Sequence, residues 1–494
     1  MNAKDVQDGD SLLCTMVVYN DFIGIGKQIL CKKDIRMKIR HLERYGSVRT
    51  AVLICLCFLL TSTAYLEWTY HIIGMVSPAK ADFITLAAGY GFQAAGIAVS
   101  ACLLRRKKEE ILYITLLLHL ICMLPASHSN SAGLSLASGF VMNFLCGVIC
   151  GYYLYQLSLA VSLEKRGCTL GIGYSVSIIV SWLLSLIRKQ VDPGHMGMIA
   201  VCFCLSAAII CLSENERRAR RNAGRSLPEP ILLRALSDDQ SFRKDLLAVS
   251  ILVLLFSVIN SCGFGFPSAD LSRGISVEFS RIFYAAGLLI AGIVNDRDRR
   301  YGGILAMTAL VVPFIMLAIQ GVSVSFLILW ALSYFTFGFF TVFRILTFSD
   351  MAGEKKLFAV SGFGLLAGRL GDAFGEVITL LLADHVLILI AALAALFAAA
   401  VILFFVLYQR IWLPQYPGQE TEQEKFSRFS AQYELSARER EVLMLILHEK
   451  NNQEIAEALS ISESTVKFHI HNLLQKTGCR NRVILLNTYT GLPR

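Results

Sequence analysis

Apolar residues come in long, nearly unbroken runs through the first four-fifths of the chain. Twelve such runs fall at 50–70, 82–103, 111–127, 132–155, 168–187, 196–213, 245–265, 276–295, 301–319, 322–345, 358–383 and 386–408. Each is close to the roughly 20 residues that carry a helix across about 30 Å of hydrocarbon. Each is apolar on all sides, not along one stripe, which excludes the surface helices of a soluble globule. In series they predict a polytopic bundle of twelve membrane helices within an all-α fold. Beyond Arg410 the pattern changes to short apolar stripes separated by polar residues.

Basic residues give the bundle a direction. Lys27, Lys32, Lys33, Arg36, Lys38, Arg40 and Arg44 precede the first run, and Arg105, Arg106, Lys107 and Lys108 follow the second. Lys165 and Arg166, then Arg217, Arg218, Arg220, Arg221 and Arg225, then Arg297, Arg299 and Arg300, then Lys355 and Lys356 occupy alternate connections. The intervening ones hold little beyond Lys80, Arg188, Lys189 and Arg273. The excess of Lys and Arg predicts a multi-pass protein of the inner (cytoplasmic) membrane, in contact with lipid, with both termini in the cytoplasm. No secretory leader is expected, since Asp5, Asp8 and Asp10 open the chain and Asn20 and Asp21 break the next apolar stretch. Translation from Met37 is an alternative start.

Composition agrees and sharpens the exclusions. The 494 residues are 55% hydrophobic and 17% charged, against roughly 25% charged in an average soluble domain. An ordinary soluble enzyme and a disordered chain are both excluded on that ground. The net charge of +9 is a topology signal and calls for no nucleic acid to explain it. The 14 cysteines sit mostly inside apolar runs, as at Cys55, Cys57, Cys122, Cys146, Cys150, Cys202 and Cys204. They are expected to be reduced core thiols, with no disulfide framework, metal site or cofactor.

The longest internal loop, 214–244, divides the bundle into halves at 49–213 and 245–410, behind an N-terminal segment at 1–48. After the eighth run comes Gly292-x-x-x-Asp296-Arg297-x-x-Arg300. Six plus six spans, a basic central loop and this string resemble the major facilitator superfamily, whose helical halves surround a midplane cavity. The string departs from that family at Arg299, where Gly is usual, and at Tyr301. The loop after the second run, Leu103-Leu104-Arg105-Arg106-Lys107-Lys108, keeps the basic residues but has neither the Gly nor the Asp. Polar residues inside the runs are the candidates for a cavity or a gate, because charge at mid-membrane is costly. Arg369, Asp372 and Glu376 lie on one face of the eleventh run, at offsets of three and seven. Glu278 and Arg281 stand three apart in the eighth run, Arg344 near the inner end of the tenth, and Gln93 and Asn143 in the first half. Structural ion pairing is the competing role for each. Gly364-x-x-x-Gly368 and Gly371-x-x-x-Gly375 predict close helix packing.

The C-terminal stretch reads as a separate soluble domain. A polar linker at 411–430 leads to a domain at 431–494, and from residue 426 onward 23% of residues are charged. Ser436-x-x-Glu439 is a capping box, Asn451-x-x-Glu454 is a second helix start signal, Ser462 caps a third helix, and Gly478 ends it. Val442, Leu443, Ile446, Ile455, Ala456, Leu459, Val466, Ile470, Leu473, Leu474, Val483, Leu485 and Leu486 form the apolar faces. Two helices joined by a tight turn at Ser460-Ile461-Ser462 make a helix-turn-helix. Leu435-Ser436-x-Arg438-Glu439-x-Glu441-Val442-Leu443, Glu454-Ile455-Ala456, Ser462-x-x-Thr465-Val466-Lys467-x-His469, Lys476 and Asn481-Arg482 resemble the LuxR-type DNA-binding domain of bacterial regulators. Asn451-Asn452 departs from it, where Gly and a small polar residue are usual.

That resemblance implies a third helix laid in the major groove of double-stranded DNA. Lys467, Phe468 and His471 stand at positions that face bases, with Lys467 suited to guanine or phosphate and Phe468 to a thymine methyl. Ser464, Thr465 and Gln475 are expected on phosphate. Glu439, Glu441 and Arg482 are expected in internal ion pairs. The last helix, 480–489, is the family's usual dimer contact, and RNA polymerase is a candidate partner. The combination predicts a membrane-bound one-component transcription regulator whose membrane part senses an unknown small ligand or a membrane state. The alternative is a major-facilitator-like secondary transporter carrying a regulatory DNA-binding tail. No nucleophile–base pair, phosphate loop or metal cluster points to an enzyme.

Overall fold

A computed structural model describes residues 46–77, 80–81, 83–103, 108–191, 196–222, 239–262, 277–318, 323–382, 384–412, 422–448 and 450–490. The basic segment before residue 46, the Met37 start, the bases at 104–107 and 223–238, Arg273 and the side chains of Arg188, Lys189 and Glu278 lie outside the described residues. The chain divides into two compact units, 1–412 and 413–494.

The described residues are helical throughout, with no strand among them. In the larger unit α1 spans Gly46–Met75. A π-helical turn at Phe83–Ala88 opens α2, Gly89–Leu103. The first half continues with α3 (Lys108–His128), α4 (Ala132–Ala160), α5 (Arg166–Val191) and α6 (Met196–Asn222). The second half holds α7 (Gln240–Cys262), α8 (Val277–Arg297), α9 (Arg299–Ala309), α10 (Val311–Ala318), α11 (Ser323–Glu354), α12 (Phe363–Leu381) and α13 (Val386–Leu407). Among the described residues, nine helices are long and apolar enough to cross a membrane. Two of the twelve expected runs fall outside this count for reasons of length and charge. The run at 301–319 breaks after Ala309. Pro313 has no N–H to offer the Ala309 carbonyl and its ring collides with it. The eleventh run carries three charges, Arg369, Asp372 and Glu376, within the 19 residues of α12.

Packing crosses between the halves in a reciprocal pattern. α5 lies along α8, and α2 against α12. Glycine permits this approach at the first crossing, where a β-carbon on either Gly167 or Gly292 would fall onto the carbonyl oxygen of the other. Gly371 and Gly375 of α12 also lie against backbone. A β-carbon on Gly371 would come within 2.6 Å of the Leu254 carbonyl oxygen, and one on Gly375 within 2.8 Å of that of Val258. The small residues thus set α12 against α7, as their spacing predicts.

The smaller unit contains α14 (Glu422–Gln432), α15 (Ala437–Leu447), α16 (Asn452–Leu459), α17 (Glu463–Thr477) and α18 (Arg482–Thr490). Its core comprises Phe429, Leu435, Val442, Leu443, Ile446, Ile455, Ala456, Val466, Leu473, Cys479, Leu485 and Tyr489. The structure differs from expectation at two points. α14 overlaps the stretch read as linker, because Phe429 supplies an apolar anchor that meets Tyr489 edge-on at 5.2 Å. Val483 is 64% exposed, because α18 starts at Arg482 and turns Leu485 and Tyr489 inward instead.

Candidate functional site

In the larger unit, the polar residues of the spans converge. Gln93 on α2, Arg281 on α8, Arg344 on α11 and Arg369, Asp372 and Glu376 on α12 line one cavity of about 150 Å³. Asn143 does not line it, but stands behind Gln93 and accepts a hydrogen bond from its Nε2 at 2.8 Å. Nη1 of Arg344 and Nη1 of Arg369 approach the same oxygen, Oδ2 of Asp372, at 3.5 and 3.6 Å. The Arg369 guanidinium lies over the Tyr90 ring at 4.0 Å, and that of Arg344 over Phe340 at 5.0 Å. Arg344, near the inner end of its run, is 2% exposed and lines the cavity from α11.

A second polar cluster joins the halves beside the Gly167–Gly292 crossing. Asp350 accepts from Arg166 at 3.0 Å and from Arg299 at 2.6 Å. Arg299 also pairs with Asp296 at 3.1 Å and donates to the carbonyls of Leu163 and Asn295. The departure from the major-facilitator string at Arg299 is thus the centre of a buried network. Asp298 caps α9 by accepting from the Arg300 backbone at 2.8 Å and pairs with the Arg300 side chain at 2.6 Å.

In the smaller unit, local chemistry sets α17 and the turn before it. Both helix starts form capping boxes. Glu439 accepts from the Ser436 backbone at 2.7 Å, and Glu454 from that of Asn451 at 2.8 Å. Asn451, the departure from the family pattern, is therefore the cap of α16. Ser460 takes a left-handed conformation (φ 53°) and reverses the chain after α16. Ser462 then caps α17 by accepting from the Thr465 backbone at 3.2 Å. Gly478 ends α17 at φ 66°, a conformation glycine adopts without strain.

Val466 and Leu473 anchor α17 in the core. Ser464, Lys467, Phe468, His471 and Gln475 follow one another on its exposed face, with Phe468 60% exposed. Thr465 is half-buried, and its hydroxyl meets that of Ser462 at 2.7 Å. Lys467 makes a surface pair with Glu463 at 3.5 Å. Behind this face, Lys476 ties α17 to α15 by donating to Glu439 at 2.7 Å. Burial pushes the Glu439 carboxyl up, but the hydrogen bonds from Lys476 and Ser436 outweigh it and hold the group below the usual range.

The model of the bacterial regulatory proteins of the luxR family matches residues 433–487. Over 58 residues the chain is 45% identical to the spore germination protein GerE of Bacillus subtilis (strain 168), which covers 12% of this chain and 78% of that protein. Through this domain the chain belongs to the luxR family of bacterial regulatory proteins. It is also 46% identical over 63 residues to the uncharacterized transcriptional regulatory protein YhcZ of the same strain, covering 13% of this chain and 27% of that protein. A third similarity, 39% over 62 residues, is to the uncharacterized response regulatory protein YgeK of Escherichia coli (strain K12), of which 42% is covered. The luxR-type chain thus spans about a quarter of YhcZ, and the resemblance is confined to its C-terminal unit.

The luxR domain corrects one expected pairing. Arg482 donates to the carbonyls of Ile446 and Lys450 and so ties α18 to the end of α15. Glu441 pairs with Arg438 on the surface at 2.7 Å. In the cavity, Tyr65, Tyr90, Tyr153, Tyr174 and Asn260 were not anticipated. Their only sequence signal is a polar atom inside an apolar run, which a core tyrosine gives equally well.

Proposed function

We propose that this luxR-family chain is a membrane-bound one-component transcription regulator. The larger unit is a twelve-span, six-plus-six bundle of the inner membrane with both ends in the cytoplasm. It senses a small ligand in its central cavity, and the smaller unit reads DNA. The observation that carries this reading is the exposed row of Lys467, Phe468, His471 and Gln475 on a capped helix, in a chain whose described residues include nine helices long and apolar enough to span a membrane. The reciprocal packing of α5 on α8 and α2 on α12 supports two like halves.

Lys467, Phe468 and His471 contact base edges, and Ser464, Thr465 and Gln475 the phosphates. Two copies pair through α18, where Val483 offers an exposed apolar position, to cover a two-fold site. The intact protein in membranes should retard a promoter fragment, with log affinity falling by about 0.9 per phosphate contact for each decade of salt.

The second reading is a secondary transporter with a regulatory tail, favoured by the buried network that ties Arg166 to Asp350 across the halves. Accumulation of ligand in proteoliposomes driven by an ion gradient would favour transport. Binding without uptake favours sensing.

A further inference from the structure

We infer that the cavity of the larger unit is built for a small organic monoanion of about one-ring size, with its charged end at Arg344 and Arg369. The inference rests on reading that unit as a ligand sensor and supplies the ligand's chemical class.

Charge is the first ground. The described lining residues place three cations, Arg281, Arg344 and Arg369, against two carboxylates, Asp372 and Glu376. Arginines buried in an apolar body make the site more favourable to an anion than to a further cation.

Hydrogen-bond demand is the second ground. A guanidinium has five N–H donors, and the bonds between charged partners close to about 2.7–2.9 Å when well made. Arg344 and Arg369 instead share one Asp372 oxygen at 3.5 and 3.6 Å. Among the lining residues three buried polar atoms have no hydrogen-bond partner, and they are Nε of Arg344, Nε of Arg369 and Nδ2 of Asn260. All three are donors. The chemistry that completes the site is therefore an acceptor carrying negative charge, as a carboxylate does.

Size and shape are the third ground. A cavity of about 150 Å³ matches the space that admits a benzene molecule in an apolar protein interior. Tyrosine rings provide flat walls. Tyr65 stacks on Tyr90 at 5.6 Å, and Tyr90 in turn carries the Arg369 guanidinium on its face at 4.0 Å. A planar body fits beside them while its carboxylate meets the arginines.

The test uses three one-ring probes of similar size, benzoate, benzamide and benzylammonium, on purified full-length protein in detergent. Thermal unfolding midpoints over a concentration series give an apparent Kd for each. Benzoate should bind at least about tenfold more tightly than either of the others. Arg369→Gln should bring benzoate to the level of benzamide. Asn260→Asp, which keeps the side-chain shape and adds a repelling charge, should do the same in a protein whose unliganded midpoint is retained. Preference for benzylammonium, no shift with any of the three, or benzoate binding unaltered in both variants would overturn the inference. The readout is independent of DNA, so a benzoate shift without any change in target-gene expression would instead count against the sensing role.

Discussion

Asp296 accepts the backbone N–H of Gly167 at 2.7 Å through Oδ1, across 129 positions of sequence. Its Oδ2 accepts that of Cys168, also at 2.7 Å. A carboxylate from the end of α8 thus caps the start of α5, where the free N–H groups and the helix dipole favour negative charge. Arg299 holds the same carboxylate and links it to Asp350.

Asp296→Ala leaves two helix-end N–H groups and one contact of the 5%-exposed Arg299 unanswered. Breaking a buried pair of this kind costs about 3–5 kcal/mol. Thermal unfolding of the purified protein should register a clear drop in midpoint, and Asp296→Asn, which keeps an acceptor, a smaller one. An unchanged midpoint in Asp296→Ala would remove the cap from the account of how the halves are held.

The luxR domain should lose stability in acid. In the folded domain the Glu439 carboxyl is held low by Lys476 and Ser436 against the opposing effect of burial, and that of Glu454 by the Asn451 backbone. A group held low in the folded state stabilises it above the unfolded value, about 4.3 for Glu. That contribution is lost as pH falls through the folded value. The midpoint of the domain, followed by circular dichroism, should be level near neutrality and fall below about pH 4.5. Glu439→Gln should flatten part of the fall, and a parallel curve would show that the capping box is not its source.

Phe429→Ala probes the helix that precedes the family match. Removing a buried phenylalanine costs about 3–5 kcal/mol, and here the lost partner is Tyr489 on α18. Denaturant unfolding of residues 422–494 should show this loss. If the variant matches the parent, α14 is not part of the folded domain.

How much of this was legible beforehand differs between the two units. In the smaller one, Ser436, Glu439, Asn451, Glu454, Ser462 and Gly478 act within a few residues of themselves, so their spacing reveals their role, and each cap sits where the spacing puts it. Phe429 was missed because it lies in a polar stretch and its partner is 60 residues away. In the larger unit the apolar runs foretold helices, but not the break after Ala309. Arg369, Asp372 and Arg344 stood out as charges in apolar runs, whereas their shared oxygen depends on two helices meeting. Arg166 read as an ordinary loop-side charge and Asp350 was not singled out, because a pair separated by 184 positions leaves no local trace.

The central claim is that the protein reads DNA from the membrane through α17. Its most direct test is immunoprecipitation of tagged full-length protein from isolated membranes, with sequencing of the attached DNA. The account predicts enrichment of a small set of promoter sites, lost when Lys467→Ala and His471→Ala are combined while the protein stays in the membrane fraction. Enrichment that survives the double substitution, or a membrane fraction that retains no specific DNA, would contradict it.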